Sequence, residues 1–326
     1  MLRRRTLVKE KVEAVIPESD IVLYDSQLNK EIVICNLDYN LTDYPKDRFT
    51  PIGVVVIPQD HAKVIYPEGH ACYNKPVMMS LKYMSYEKPD TGDDHLYTLW
   101  GGHTQDTLPK DYKNIACINN LTAEETSISS SDSSVYIPSD RFSGVESKAA
   151  PKTKYYKKPF APSPFLFKDG IWGPNPAYYN CPADCMQYDR DGKGNTATIL
   201  ELVTAPDWKT ASSITHNGWI GNYPAACCCW RFHTIADNQG DWYLPATGEL
   251  CYIIPFFNKH NRAINRIKSI YGDNSIAFVM VNYEAHWTSN EYSSTQTCFV
   301  SPEDGSIGNF DTQYALYVRA FRPVKI

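Results

Sequence analysis

The sequence predicts an α+β fold in which two helices pack among short antiparallel strands. Three observations carry that prediction. Residues 247–271 hold Ile264, Ile267 and Ile270 at helical spacing. Thr50-Pro51-Ile52-Gly53-Val54-Val55-Val56-Ile57-Pro58 is a β-branched run bounded by prolines, and strand-length segments return after residue 276.

The chain starts with a basic arm, Arg3, Arg4, Arg5, Lys9 and Lys11. Glu10, Glu13, Glu18 and Asp20 fall where the apolar core of a signal peptide should follow, so no export signal is expected. Ile21-Val22-Leu23-Tyr24, a polar turn at Ser26-Gln27-Leu28-Asn29, and Ile32-Val33-Ile34-Cys35 read as a β-hairpin. Its strands are short and partly charged, so it would gain stability by pairing with another chain. Residues 1–44 are therefore read as an attachment arm, with an ordinary N-terminus and first hairpin as the alternative. The remaining 45–326 form the main domain.

That domain opens with the strand at 50–58, and residues 77–84 supply another. A loop-rich insertion follows at about 86–165, with the polar tract Thr126-Ser127-Ile128-Ser129-Ser130-Ser131-Asp132-Ser133-Ser134 and a stretch rich in Pro, Lys and Tyr at 151–164. Between residues 188 and 198, Asp189, Asp191 and Gly194 match the first, third and sixth positions of an EF-hand loop. Lys193 at the fifth position and Leu200 at the twelfth defeat it, and a glycine-rich hairpin turn is the expectation. In the helical segment Thr247 stands at the start, Pro255 should split it in two, and Gly272 should end it. Strands are then expected at 276–281, 285–289, 297–301, 306–310 and 314–324, with a turn at Pro302-Glu303-Asp304-Gly305.

Composition narrows the function. A net charge of −5 argues against a surface that tracks nucleic-acid phosphates. No uncharged apolar run is long enough to cross a bilayer. The 23 Tyr and 7 Trp exceed what core filling usually needs; they suit either a recognition surface or half-buried strand faces. Ten cysteines without an export signal favour reduced thiols. Cys181, Cys185, Cys227, Cys228 and Cys229 lack the spacing of a tetrahedral metal site, so packed thiols and no metal or cofactor are expected.

Catalytic patterns are missing. The sequence holds no GxSxG elbow, no HExxH pair and no phosphate-binding P-loop. The eight His are scattered, and no spacing proposes a triad. The expectation is a protein without enzymatic activity.

Three blocks remain: Trp242-Tyr243-Leu244-Pro245 with Gly248-Glu249-Leu250, then Trp287-Thr288-Ser289-Asn290-Glu291-Tyr292, then Val318-Arg319-Ala320-Phe321-Arg322. In this order and spacing they resemble the C-type-lectin-like domains of Bacteroidales and their phages, and the C-terminal domains of diversity-generating-retroelement target proteins. The likeness covers roughly residues 188–326. The segments at 50–58 and Ala161-Pro162-Ser163-Pro164 also look like stretches of structural proteins from crAss-like gut phages. The resemblance implies a C-type-lectin-like frame in which Trp242, Leu244 and Trp287 anchor the core and the Val318–Ala320 strand closes against Val54-Val55-Val56. It implies an exposed binding face between the second and third blocks, at Tyr283, His286, Asn290, Tyr292, Ser294, Gln296, Asn309, Asp311, Gln313 and Tyr314.

A virion protein of a phage, a head or tail fibre or a decoration subunit, is the function so implied. It would be made in the host cytoplasm, joined to other virion proteins through the basic arm, and turned toward a host-surface glycan or protein. The resemblance implies a homo-oligomer, with the trimer the usual form of such fibres. A bacterial surface adhesin of the same fold is the alternative. The calcium-binding Glu-Pro-Asn and Trp-Asn-Asp sequences of sugar-binding lectins are absent. Formylglycine-generating enzymes share the fold but use two C-terminal cysteines, where this chain has Cys298 alone on the late strands.

Overall fold

The computed structural model describes residues 19–35, 43–84, 97–102, 189–204, 208–209, 222–253, 256–272, 285–293, 296–301 and 307–325. In chain order these form β1 (Ile21–Asp25), β2 (Lys30–Ile34), β3 (Phe49–Ile57), α1 (Gln59–Ile65), β4 (Val77–Ser80) and β5 (Tyr97–Leu99). There follow α2 (Gly192–Glu201), α3 (Pro224–Arg231), α4 (Thr247–Ile253), α5 (Phe257–Tyr271), β6 (His286–Ser293), β7 (Gln296–Val300), β8 (Ile307–Asp311), β9 (Ala315–Tyr317) and β10 (Phe321–Pro323). The α+β class is as the sequence indicates.

Two five-stranded sheets carry the fold, ordered β10-β4-β3-β1-β2 and β5-β9-β6-β7-β8. The apolar run of β3 lacks alternation because the first sheet is covered on both faces. Val54 and Val56 pack with Ile264 and Ile267 of α5 and with Cys251 and Ile253 of α4. Ile52 and Val55 pack on the other side with Trp242, Leu244, Trp287 and Val318. Trp242, Leu244 and Trp287 are buried, so they anchor the core as their size requires.

The N-terminal hairpin departs from the expectation of an arm seeking another chain. β1 lies between β2 and β3, with Ile21 opposite Val54 and Tyr24 opposite Thr50, and its Ile21, Val22 and Leu23 are fully buried. A boundary at residue 44 would cut through the sheet. Arg3, Arg4, Arg5, Lys9 and Lys11 lie outside the described residues, as do Cys181, Cys185, nearly all of the 86–165 insertion, the expected strand at 276–281 and the turn at 302–305.

The glycine-rich segment after Asp189 is a helix, not a hairpin turn. The Asp191 side chain accepts the Gly194 N–H at 2.8 Å and caps α2. A Cβ at Gly192 would stand 2.3 Å from Glu249 Oε2 and 2.6 Å from Ala246 N, so close packing onto the α4 N-terminus selects this glycine. The late helical segment is two helices, α4 and α5, with Pro255 outside the described residues between them. α5 ends at Gly272 with φ 98°, the left-handed conformation a glycine takes without strain.

The expected strand at 314–324 is also split. β9 joins the second sheet and β10 the first, with Val318-Arg319-Ala320 crossing between them. β10 pairs with β4, Phe321 opposite Met79, and so closes one strand away from Val54-Val55-Val56. Five flat strands would hold β10 and β2 about 19 Å apart at a strand spacing of ~4.8 Å. Yet Arg322 of β10 donates to Glu31 of β2 at 2.5 Å, so the sheet curls until its edges meet through this buried pair.

Candidate functional site

The first two sequence blocks converge on a buried polar network. At its centre Asn290 of β6 donates through Nδ2 to Asp189 Oδ2 at 2.6 Å, while its Oδ1 accepts the Thr247 N–H at 2.8 Å. Thr247 Oγ1 lies 2.9 Å from Asn290 Oδ1 and 3.0 Å from Thr288 Oγ1. Asn195 Nδ2 donates to Asp189 Oδ2 at 2.7 Å and to Ser289 Oγ at 3.1 Å. Residues from α2, α4 and β6 thereby satisfy one another through direct hydrogen bonds.

Glu249 continues the network into the core. Its Oε1 accepts the hydroxyls of Tyr66 at 2.6 Å and Tyr243 at 2.8 Å, and its Oε2 accepts the Ala246 N–H at 2.8 Å. Burial pushes its carboxyl up to about 7 despite these donors. Burial likewise raises Asp189, against the hydrogen bonds from the Asp191 N–H, Asn195 and Asn290. Burial pushes Asp191 upward too, but the hydrogen bond from His70 and the Gly194 N–H outweigh it and leave Asp191 below the ordinary range. Burial lifts the Cys72 and Cys228 thiols to about 12 and raises Cys227 and Cys229 as well. Such thiols are packed groups rather than nucleophiles. Among the described residues no group of three or more His, Cys, Asp and Glu is arranged to hold a metal ion, and no helix is long and apolar enough to cross a membrane.

The network corrects two of the expected face residues. Asn290 is fully buried as the hub just described, and His286 is 1% exposed, its ring stacked 5.5 Å from Tyr317. Both side chains belong to the frame. Tyr283 and Ser294 lie outside the described residues; Tyr292 sits on β6.

The other expected residues gather on the β7–β8 hairpin and the turn after it. Gln296 is opposite Asp311, and Asn309 is opposite Cys298. Asp311 Oδ1 accepts the Gln313 N–H at 3.0 Å, and its carbonyl accepts the Tyr314 N–H at 3.0 Å, which fixes the turn. Tyr314 is 59% exposed, and Gln313 is exposed beside it.

Two residues that sequence reasoning missed complete this surface. Phe310, 40% exposed, stacks on Phe299 with ring centroids 4.5 Å apart and planes at 19°, and Tyr314 follows at 5.4 Å. A Cβ at Gly308 would meet the Phe299 ring at 2.4 Å, so the ring lies over the bare backbone of β8. The signal was available: Gly308 and Phe310 share one face of a strand by period two, opposite Phe299 and Thr297. The result is an aromatic row on one face of the edge strand of the second sheet as described, with Asn309 and Asp311 on the opposite face by the same period. Among the described residues β8 pairs with β7 alone.

No family model matches this sequence. No curated protein sequence matches it either. Among solved structures the chain is similar to a fimbrial protein from Bacteroides ovatus ATCC 8483, at 14% identity and a TM-score of 0.43, over 94% of this chain and 48% of that one. The chain thus spans about half the length of that protein.

Proposed function

We propose that the chain is a non-enzymatic display protein of C-type-lectin-like architecture, a fibre, tail, head or decoration subunit of a phage particle that turns the β7–β8 surface toward a host cell. One observation carries the reading: the chain divides into a locked frame and an open face. The first two blocks that resemble lectin-like domains are tied together by buried hydrogen bonds through Asp189, Thr247 and Asn290, and the third is joined to the first by the paired backbone bonds between Tyr243 and Phe321. Phe310, Gln313 and Tyr314 stand exposed on an edge strand and its turn. Rings offer contact area at low entropy cost, while Gln313 on the turn adds an adaptable polar contact.

Virion attachment belongs to the basic arm in this reading, and homo-oligomerisation, with a trimer first, to the fibre likeness. Labelled protein should bind intact Bacteroidales cells saturably. The variant carrying Asn309→Ala, Phe310→Ala and Tyr314→Ala, with an unchanged melting midpoint, should lose at least tenfold in affinity. Equal binding by the two would sink the β7–β8 face, and absence of binding in both would leave a purely structural role in the particle.

A further inference from the structure

Away from the β7–β8 surface, a cleft of about 370 Å3 opens between α2, the end of α3 and the chain around Trp242. Its volume lies within the range of about 300–1,000 Å3 common to small-molecule sites. Residues 193, 196, 197, 200 and 201 line one wall, the spacing of a single helix face. Trp208 and Trp230 form the opposite wall, their rings 4.9 Å apart at 64°. The exposed Lys209 holds its Nζ 5.5 Å from one ring centroid and 5.4 Å from the other.

Charge distinguishes this cleft from a simple cation–π contact. Lys193 and Lys209 both border the cleft, and among the described residues neither is ion-paired to a carboxylate. Among the described residues Glu201 is the single acidic residue of the lining. A second cleft of about 330 Å3 shares Lys193 and adds Lys75 and Lys325, against Asp241, which Lys325 already engages at 2.8 Å. Among the described residues positive charge is therefore in excess along both.

We propose that the tryptophan cleft binds an acidic sugar residue. Its carboxylate would pair with Lys209 and Lys193, and its ring would lie against the edge of the tryptophan pair. A neutral sugar lacks the first contact, and a small carboxylate lacks the second. This site stands apart from the β7–β8 surface and does not depend on it.

Glucuronic acid and N-acetylneuraminic acid should be titrated into the full chain by calorimetry, with saturation-transfer NMR to locate the bound protons, beside glucose and acetate. At least one acidic sugar should saturate the wild type, and Lys209→Glu and Trp230→Ala should each weaken it at least tenfold. Lys209 is exposed, so Lys209→Glu retains the fold should Trp230→Ala lose it. The Asn309→Ala, Phe310→Ala, Tyr314→Ala variant should bind the sugar as the wild type does, which separates this cleft from the cell-binding face. Failure of both sugars to saturate, undiminished binding in Lys209→Glu, or equal binding of acetate or glucose would each overturn the proposal.

Discussion

Glu249 shows at the scale of one residue how the frame responds to pH. Its carboxyl is buried beneath two tyrosine hydroxyls and titrates near 7, above the ordinary 4.5. The folded chain therefore binds this proton more tightly than the unfolded one, and the stabilisation is complete below pH 4.5 and lost as pH rises to about 7. The shift is worth on the order of 3 kcal/mol. Asp25 works in the opposite sense: its hydrogen bonds from Arg48, at 2.9 and 2.6 Å, hold it at about 2. Its stabilisation is present above pH 3.8 and lost as pH falls through about 2. In urea titrations at stepped pH, Glu249→Gln should flatten the decline between pH 4.5 and 7 and leave the acid limb unchanged. A decline of wild-type size in that variant would show that the titration belongs to another group.

The two elements that close the first sheet, the N-terminal hairpin and β10, carry the next predictions. Because β1 is an interior strand, deleting residues 1–44 should abolish the cooperative melting transition, whereas deleting residues 1–18, ahead of every described strand, should preserve it. Survival of the transition in the longer deletion would restore the separable arm. Arg322 joins the sheet's two edges through Glu31 at 2.5 Å and also pairs with Asp237 at 3.0 Å. Arg322→Met leaves two buried carboxylates uncompensated, and a loss of about 3–5 kcal/mol by denaturant titration is expected. These elements also mark what was legible in the sequence. β1 to β4, α5 and the late strands follow from β-branched runs and helical periodicity, which are local signals. α2 was hidden because its glycines are set by Glu249 and by the Asp191 cap, and Glu249 is a contact far along the chain. The burial of His286 and Asn290 was equally hidden, since a polar residue on a strand is exposed by default. Asn290 is buried because it meets Asp189 and Thr247, 101 and 43 residues away.

Over the whole molecule, frame and face should separate under mutation. Asn290→Ala leaves the Thr247 N–H and the Asp189 carboxylate short of partners in a sealed interior, and each buried unsatisfied group costs about 1–3 kcal/mol. At roughly 2–4 °C in melting midpoint for each kcal/mol, the two groups together predict a fall of about 4–24 °C. Asn309→Ala, Gln313→Ala and Tyr314→Ala alter surface positions on β8 and its turn, where substitutions usually stay within about 0.5 kcal/mol, and the midpoint should barely move. Calorimetric scans of the four variants, read beside their binding to cells, test both halves together. The division holds if the first variant loses stability and the other three lose binding. It fails if the surface substitutions destabilise the chain as much as Asn290→Ala does, because the β8 edge would then be part of the frame and no open face would remain for a host.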